Sequence, residues 1–216
     1  MKLLILLLSI NSHAFDLKQD IEFYKELFGT NVYTRLTDNA GKGYENIKGT
    51  RNFRVVLPGV LYRSGKLNPA GNENPMTIEA LNNMCGLGFS NAVYLYNTNY
   101  NTVPHVIKCT NSSLQYKQVS VLSNPKPALQ IVFDRIKGKL PGPILEHCWN
   151  GWHASGFGAA TALMQFCAWS PTAAWEYWKK NVDGSTDYPA IKRKILNFKK
   201  YPDLEISEAE RALVCP

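Results

Sequence analysis

The chain has 216 residues, 45% of them hydrophobic and 19% charged, which fits one folded domain with a substantial core and excludes a largely disordered chain. Lysine and arginine number 24 and aspartate and glutamate 17, giving a formal net charge of +7. This excess favours anionic ligands such as phosphates, nucleic acid or an acidic membrane, and it is equally compatible with an ordinary soluble protein.

The first residues have the pattern of a secretory signal peptide over residues 1–14. Lys2 precedes an apolar run over residues 3–10, and small residues follow at Ser12 and Ala14. A positive start, a short apolar stretch and a small-residue site are typical of an exported protein that is cleaved after Ala14. The run is too short to cross a bilayer. We therefore predict a secreted or periplasmic protein with no membrane span; a buried N-terminal strand is the alternative.

The mature chain is predicted to consist of an N-terminal extension, residues 15–51, and one domain, residues 52–216. The extension contains a predicted helix that ends at Gly29. The domain begins with two strands, 53–57 and 60–64, whose connecting Pro-Gly turn predicts a hairpin. Helices and strands then alternate: helix 76–85, strands 91–96 and 114–122, helix 127–139, strand 143–147, and helices 155–169, 171–181, 189–200 and 207–213. This order predicts an α/β fold with a mostly parallel central sheet flanked by helices.

In an exported protein the five cysteines can form disulfides, because disulfides persist in oxidising compartments. We predict the bridges Cys85–Cys109 and Cys167–Cys215, which leave Cys148 as a free thiol. Cys85 ends a predicted helix and Cys109 precedes a strand expected nearby. Cys215 can return the tail of the chain to the helix that carries Cys167.

A short loop between the buried strand 143–147 and the apolar helix 155–169 carries Cys148. Backbone N–H groups of a tight loop and of a first helical turn point into the same space, and the helix dipole adds positive potential. The same donors stabilise a thiolate, which is the nucleophilic form of cysteine. Gly151 permits the loop to curl, and Ser155 is placed to donate a hydrogen bond to the sulfur. The loop therefore predicts oxyanion binding beside a reactive thiol.

Residues 147–156 resemble the signature of the protein tyrosine phosphatase superfamily, which runs His-Cys, two residues, Gly, two residues, Arg, Ser or Thr, and Gly. The matched positions are His147, Cys148, Gly151, Ser155 and Gly156. The resemblance implies that Cys148 attacks phosphorus, that Ser155 assists catalysis, and that His147 supports the loop. It further implies a phosphate-binding loop made of Trp149, Asn150, Gly151, Trp152, His153 and Ala154.

The flanking sequence is similar to one branch of that superfamily, the atypical dual-specificity phosphatases of plants and fungi. Their Asn-Phe start, Gly-X-X-Tyr-Arg-Ser-Gly element and helix-to-strand segment resemble residues 52–53, 59–65 and 81–95. Their Trp-Ser and Glu-Tyr pairs resemble residues 169–170 and 176–177. Phosphatase-type phytases, which some bacteria export, share the same loop. The resemblance implies a dual-specificity-phosphatase-like sheet over residues 52–198.

Two parts of the phosphatase machinery are absent from their expected positions. The signature arginine is replaced by Ala154, which cannot make the bidentate contact of a guanidinium. Residues 120–127, where the family places its general acid, contain no carboxylate, and Asp134 is predicted to be a solvated helix residue. Arg63 and the cluster 192–194 are the candidates to replace the missing cation.

We therefore predict atypical phosphate-monoester hydrolysis through Cys148, with a phosphorylated protein or an inositol phosphate as substrate. A pseudophosphatase that binds a phosphorylated ligand without turnover is the first alternative, and sulfur transfer or redox exchange at the same thiol is the second. The predicted partner is a phosphorylated protein or a small-molecule polyanion, not nucleic acid. Neither a metal nor another cofactor is predicted, because His105, His147 and His153 lack metal-ligand spacing with Cys148.

Overall fold

The computed structural model describes residues 16–71, 73–110, 112–183 and 186–216. The predicted signal peptide, residues 1–14, and the predicted new terminus at Phe15 lie outside these residues. Export of the chain stays a prediction. Of the helices that are described, none combines the length and the apolar character needed to cross a bilayer.

Six strands form one sheet. Their bounds are β1 Thr50–Leu57, β2 Leu61–Lys66, β3 Asn91–Tyr94, β4 Val106–Lys108, β5 Ser113–Gln118 and β6 Ile144–Cys148. The α-helices are α1 Leu17–Phe28, α2 Ile78–Gly86, α3 Lys126–Ile136, α4 His153–Cys167, α5 Pro171–Lys180, α6 Pro189–Leu196 and α7 Glu208–Val214. Short 3₁₀ turns lie at Glu45–Ile47, Tyr100–Thr102 and Pro202–Leu204.

The strands lie in the order β1-β2-β6-β3-β5-β4. The three central pairings, β2–β6, β6–β3 and β3–β5, are parallel, and the two outer pairings, β1–β2 and β5–β4, are antiparallel. The predicted α/β class with a mostly parallel sheet flanked by helices is therefore confirmed, as is the β1–β2 hairpin. Strands β2, β3 and β6 are buried along their whole length, as expected of central parallel strands with helices on both faces.

Several predicted bounds were wrong. Strand β5 ends at Gln118 and α6 at Leu196, so the predicted ends at residues 122 and 200 were too late. Helix α4 begins at His153, two residues before the predicted start. The first two residues of the helix were therefore assigned to the loop. Strand β4 was not predicted, since its three residues alternate exposed, buried and exposed and offer too short a pattern to recognise.

The two faces of the sheet carry different cores. One face packs against α4, whose residues 154–166 are all buried, together with apolar residues of α3, α5 and α6. The other face holds an aromatic cluster that includes Phe28, Phe53, Tyr62 and Phe89, with α2 beside it. Helix α4 is therefore packed on nearly all sides, and this packing holds the helix N-terminus, where the loop ends, in place.

Both predicted disulfides are confirmed. Cys85 in α2 is bonded to Cys109 with 6.0 Å between the Cα atoms, and Cys167 at the end of α4 is bonded to Cys215 with 5.5 Å. Cys148 is a free, buried thiol. Each bridge is worth about 2–4 kcal/mol through its restriction of the unfolded chain. The second bridge ties the segment after α7 to the helix that leads away from the loop.

Candidate functional site

The loop around Cys148 connects the C-terminal end of β6 to the N-terminal end of α4. Cys148 is the last residue of β6, and α4 starts at His153. The Cys148 Sγ lies 3.3 Å from the Oγ of Ser155 in the first turn of α4. A thiol at this place faces the unpaired N–H groups of the first helical turn, which are a ready site for an anion.

Gly151 is required by the geometry of the loop. Its φ of +77° lies in the region that favours glycine, and a Cβ added there would lie 2.4 Å from the Gly65 N. Gly65 in turn forms an antiparallel bridge with Asn150, and the Lys66 N–H donates to the Trp149 carbonyl oxygen over 3.1 Å. The loop therefore packs against the C-terminal end of β2, where the two backbones approach each other too closely for side chains to fit between them.

A chain of polar side chains from the N-terminal segment holds the loop from outside. The Asn52 Nδ2 donates to the Asn150 carbonyl oxygen over 2.6 Å and to the Asn39 Oδ1 over 2.8 Å. The Asn39 Nδ2 donates to the Asp183 Oδ2 over 2.8 Å. Sequence reasoning gave Asn39 no role, because its segment has only the composition of a loop.

His147 supports the loop as a neutral group. Its ring is fully buried between those of Tyr94 and Tyr116, with centroid distances of 5.1 and 5.6 Å, and its Nε2 lies 2.8 Å from the Tyr116 hydroxyl oxygen. Burial lowers the pKa of His147 to about 3. The ring therefore holds β6 in place and is no proton donor at neutral pH.

Aromatic rings stand on both sides of the loop. The Trp149 Nε1 donates to the Tyr94 hydroxyl oxygen over 2.9 Å, and the Trp149 ring lies 4.5 Å from that of Tyr96. Burial raises the pKa of Tyr96, and the neighbouring Cys148 raises it further. Across the loop, the His153 ring lies 4.0 Å from that of Tyr188.

Position 154 contributes no charge. Ala154 is fully buried and belongs to the same apolar cluster as Phe157 and Trp178. Trp152, the other aromatic residue of the loop, also packs against this cluster, and its buried Nε1 has no hydrogen-bond partner among the described residues. The loop thus offers backbone donors and no cationic side chain at the signature position.

Arg63, predicted to support the site, lies beneath α4. It is fully buried, its Nη2 donates to the Asn181 carbonyl oxygen over 2.7 Å, and its guanidinium carbon lies 5.6 Å from the Tyr177 ring centre. A Cβ at Gly156 would lie 2.8 Å from the Arg63 Nη1. The guanidinium therefore packs between the sheet, α4 and the end of α5. The cluster 192–194 is exposed on α6.

A different arginine lies at the loop. Arg51 is a partly exposed residue of β1, and its Nη2 lies 3.4 Å from the Trp149 carbonyl oxygen. Next to it, Lys66 is buried, and its Nζ donates to the Gly71 carbonyl oxygen over 2.5 Å. Burial and then the charge of Arg51 lower the pKa of Lys66 to about 8. Sequence reasoning missed Arg51, because it placed this residue in the extension before β1.

Of the carboxylates considered for the site, Asp134 is bonded to neighbouring side chains and Glu146 is buried. Asp134 lies on α3, where its Oδ1 accepts from Gln130 over 3.1 Å and lies 3.2 Å from the Lys139 Nζ, in agreement with the predicted structural role. Glu146 is buried in β6, and burial raises its pKa to about 8 while the charge of Arg63 opposes the shift. In the described ranges, no three His, Cys, Asp or Glu side chains lie close enough together to hold a metal ion.

No protein-family model matches the chain, and no curated protein matches it. Among solved structures, the crystal structure of TpbA from P. aeruginosa is similar with a TM-score of 0.44 and 16% identity, over 71% of this chain and 84% of that chain. A cysteine-to-serine variant of TpbA in complex with pTyr is similar with a TM-score of 0.46 and 14% identity, over 79% of this chain and 93% of that one.

Proposed function

We propose that the loop between β6 and α4 binds the phosphate of a phosphomonoester and that Cys148 is the nucleophile of its slow hydrolysis. The observation that carries the proposal is the placement of a free cysteine at the end of a buried strand, 3.3 Å from the Ser155 Oγ and in front of the first turn of a buried helix. Backbone donors and a helix dipole stabilise both the thiolate and the phosphate oxygens.

The reaction needs two displacements at phosphorus. The Cys148 sulfur forms a bond to phosphorus as the bond to the ester oxygen breaks, and the departing oxygen takes a proton from water. Water then attacks phosphorus, the S–P bond breaks, and inorganic phosphate leaves. Ser155 stabilises the thiolate that departs in the second step through a hydrogen bond to sulfur.

The surroundings of the loop favour a slow reaction on an activated ester. Residues 120–127 form a turn and the start of α3 and carry no carboxylate, so no side chain there protonates the leaving group. An aryl phosphate suffers least from this, because its leaving group needs little protonation. The rings of Trp149, Tyr96 and Tyr188 suit an aryl ester such as a phosphorylated tyrosine, whereas the net charge of +7 suits an inositol phosphate.

We further propose in which compartment and in which part of the chain the reaction takes place. The pattern of residues 1–14 supports export, with the substrate in the periplasm or outside the cell. Residues 52–216 are proposed to form the phosphatase-like domain. The similarity of the loop and its flanks to the atypical dual-specificity phosphatases supports this branch.

A pseudophosphatase is the second candidate, favoured by the buried Ala154 at the signature position. Such a protein binds the phosphorylated ligand through the same backbone donors and does not turn it over. Both candidates require an occupied loop, and they differ in whether Cys148 reacts.

Hydrolysis of p-nitrophenyl phosphate by the purified protein separates the two candidates. We expect slow turnover that Cys148→Ser abolishes, with folding checked by circular dichroism. Ser113→Ala, at an exposed serine of β5, is the control and leaves the rate unchanged. Turnover that persists in Cys148→Ser would contradict the assignment of the nucleophile. Phosphate binding without turnover in the wild type would establish the pseudophosphatase.

A further inference from the structure

A bulge in β1 decides where Arg51 points. Regular antiparallel pairing from Arg54↔Arg63 would set Arg51 opposite Lys66, but Arg51 is paired with Gly65. One extra residue therefore lies in β1 at this point, where Asn52 has a φ of +52°. A shift of one residue moves a side chain to the other face of the sheet.

The bulge places the Arg51 side chain on the same face of the sheet as Cys148. Residues paired directly across two strands share a face, so Arg51 lies on the side of Gly65 and, two residues away, of Arg63. Arg63 is paired with Glu146 in β6, two residues before Cys148. The bulge thus turns Arg51 away from the aromatic face of His147 and toward the loop.

The guanidinium of Arg51 is weakly engaged where it lies. Its hydrogen bond to the Trp149 carbonyl oxygen is long, 3.4 Å, and that oxygen already accepts from the Lys66 N–H over 3.1 Å. No carboxylate in the described ranges lies within ion-pair distance of Arg51. By contrast, Arg54 on the same strand donates to the Tyr33 carbonyl oxygen over 2.8 Å.

The local charges also favour an anion beside Arg51. Burial lowers the pKa of Arg51, and the neighbouring Cys148 opposes this shift. Lys66, which the alternation of β2 places on the opposite face of the sheet, lies near Arg51 and Glu73 and donates to the Gly71 carbonyl oxygen. A partly buried guanidinium with no ion-pair partner, beside the Cys148 loop, suits a doubly charged phosphate.

We propose that Arg51 supplies, from β1, the guanidinium that position 154 lacks, binding two oxygens of the phosphate held over Cys148. The inference rests on the proposed function of the loop. On arrival of a phosphate the guanidinium exchanges its long bond to Trp149 for two charge-assisted bonds, and the Trp149 oxygen keeps its donor from Lys66. Phosphate is thereby clamped by a planar fork, as bidentate recognition requires.

The test compares Arg51→Gln and Arg51→Lys with the control Arg193→Gln, which removes the same charge from an exposed site on α6. In the Cys148→Ser background, binding of inorganic phosphate is measured by calorimetry. With Cys148 intact, kcat and KM are measured for p-nitrophenyl phosphate. We expect Arg51→Gln to weaken phosphate binding roughly 10- to 100-fold and to lower kcat/KM about 10²–10³-fold, while Arg193→Gln changes either by less than about twofold.

Arg51→Lys separates a clamp from a purely structural role. Lysine keeps the charge and can still donate to the Trp149 oxygen, so a structural role predicts full recovery of kcat and of the melting temperature. The clamp predicts recovery of the melting temperature only, with kcat still reduced about 10-fold or more.

Two outcomes would overturn the inference, and they are distinguishable. If Arg51→Gln behaves like Arg193→Gln while turnover still depends on Cys148, the clamp is wrong and the proposed function stands. If the folded wild-type protein neither binds phosphate nor hydrolyses the ester, the proposed function fails together with the clamp.

Discussion

Arg51 and Arg63 come from the two strands of one hairpin and lie on the same face of the sheet, yet their surroundings differ. Arg63 is sealed beneath α4, with a 2.7 Å bond to the Asn181 carbonyl oxygen, and no substrate can reach it. Arg51 is partly exposed at the edge of the Cys148 loop and makes one long hydrogen bond. The Nε and Nη1 of Arg63 also lack hydrogen-bond partners among the described residues, so the two arginines differ in access: a fully buried guanidinium acts on the fold alone, whereas one at a partly exposed loop is available to a ligand.

The comparison predicts its largest effect for the free energy of unfolding. Arg63→Met should lower it by about 1–3 kcal/mol, because the buried Asn181 carbonyl oxygen loses its donor. Arg51→Gln should lower it by less than about 1 kcal/mol, since the Trp149 oxygen keeps its bond from Lys66. Urea denaturation of both variants measures the difference. Equal losses would contradict the division into a sealed and an available arginine.

A second effect, a dependence of stability on pH, is expected at Glu146, the in-register neighbour of Arg63. Its pKa is raised from 4.5 to about 8 in the folded protein. Between these values the unfolded carboxyl is ionised and the folded one is not, so the free energy of unfolding falls as pH rises, by up to about 1.4 kcal/mol per pH unit. Below pH 4.5 the contribution is fully present, and above about 8 it is lost.

Urea denaturation across this pH window checks the sign. Glu146→Gln should remove the decline, so that the variant gains stability relative to the wild type as pH rises. The control Glu205→Gln, at an exposed glutamate, should follow the wild type. A wild-type curve that runs parallel to that of Glu146→Gln would show that the Glu146 carboxyl is not protonated in the fold.

Much of the fold was predictable, because it depends on local patterns. Alternating helices and strands gave the α/β class. The position of Cys85 at the end of a predicted helix, and that of Cys167 within the predicted helix to which the tail returns, led to both disulfides. Strand β4 was not predicted, because three residues at a sheet edge show too little hydrophobic periodicity.

The site was predictable only where it is made of contiguous chain. The spacing of Cys148, Gly151 and Ser155 places the thiol, the turn and the hydroxyl within one loop. The partner of that loop depends on the register of β1 against β2, which one extra residue at Asn52 shifts. Sequence reasoning therefore selected Arg63, which stands in a recognisable element, and missed Arg51.

A crystal structure of the protein with bound tungstate, a phosphate mimic, tests the central claim most directly. We expect one tetrahedral anion over the Cys148 sulfur, held by the backbone N–H groups of the loop and by two nitrogens of Arg51, with Arg63 unmoved beneath α4. An empty loop in the folded protein at saturating tungstate, or an anion bound only at the exposed lysines of α6, would contradict it.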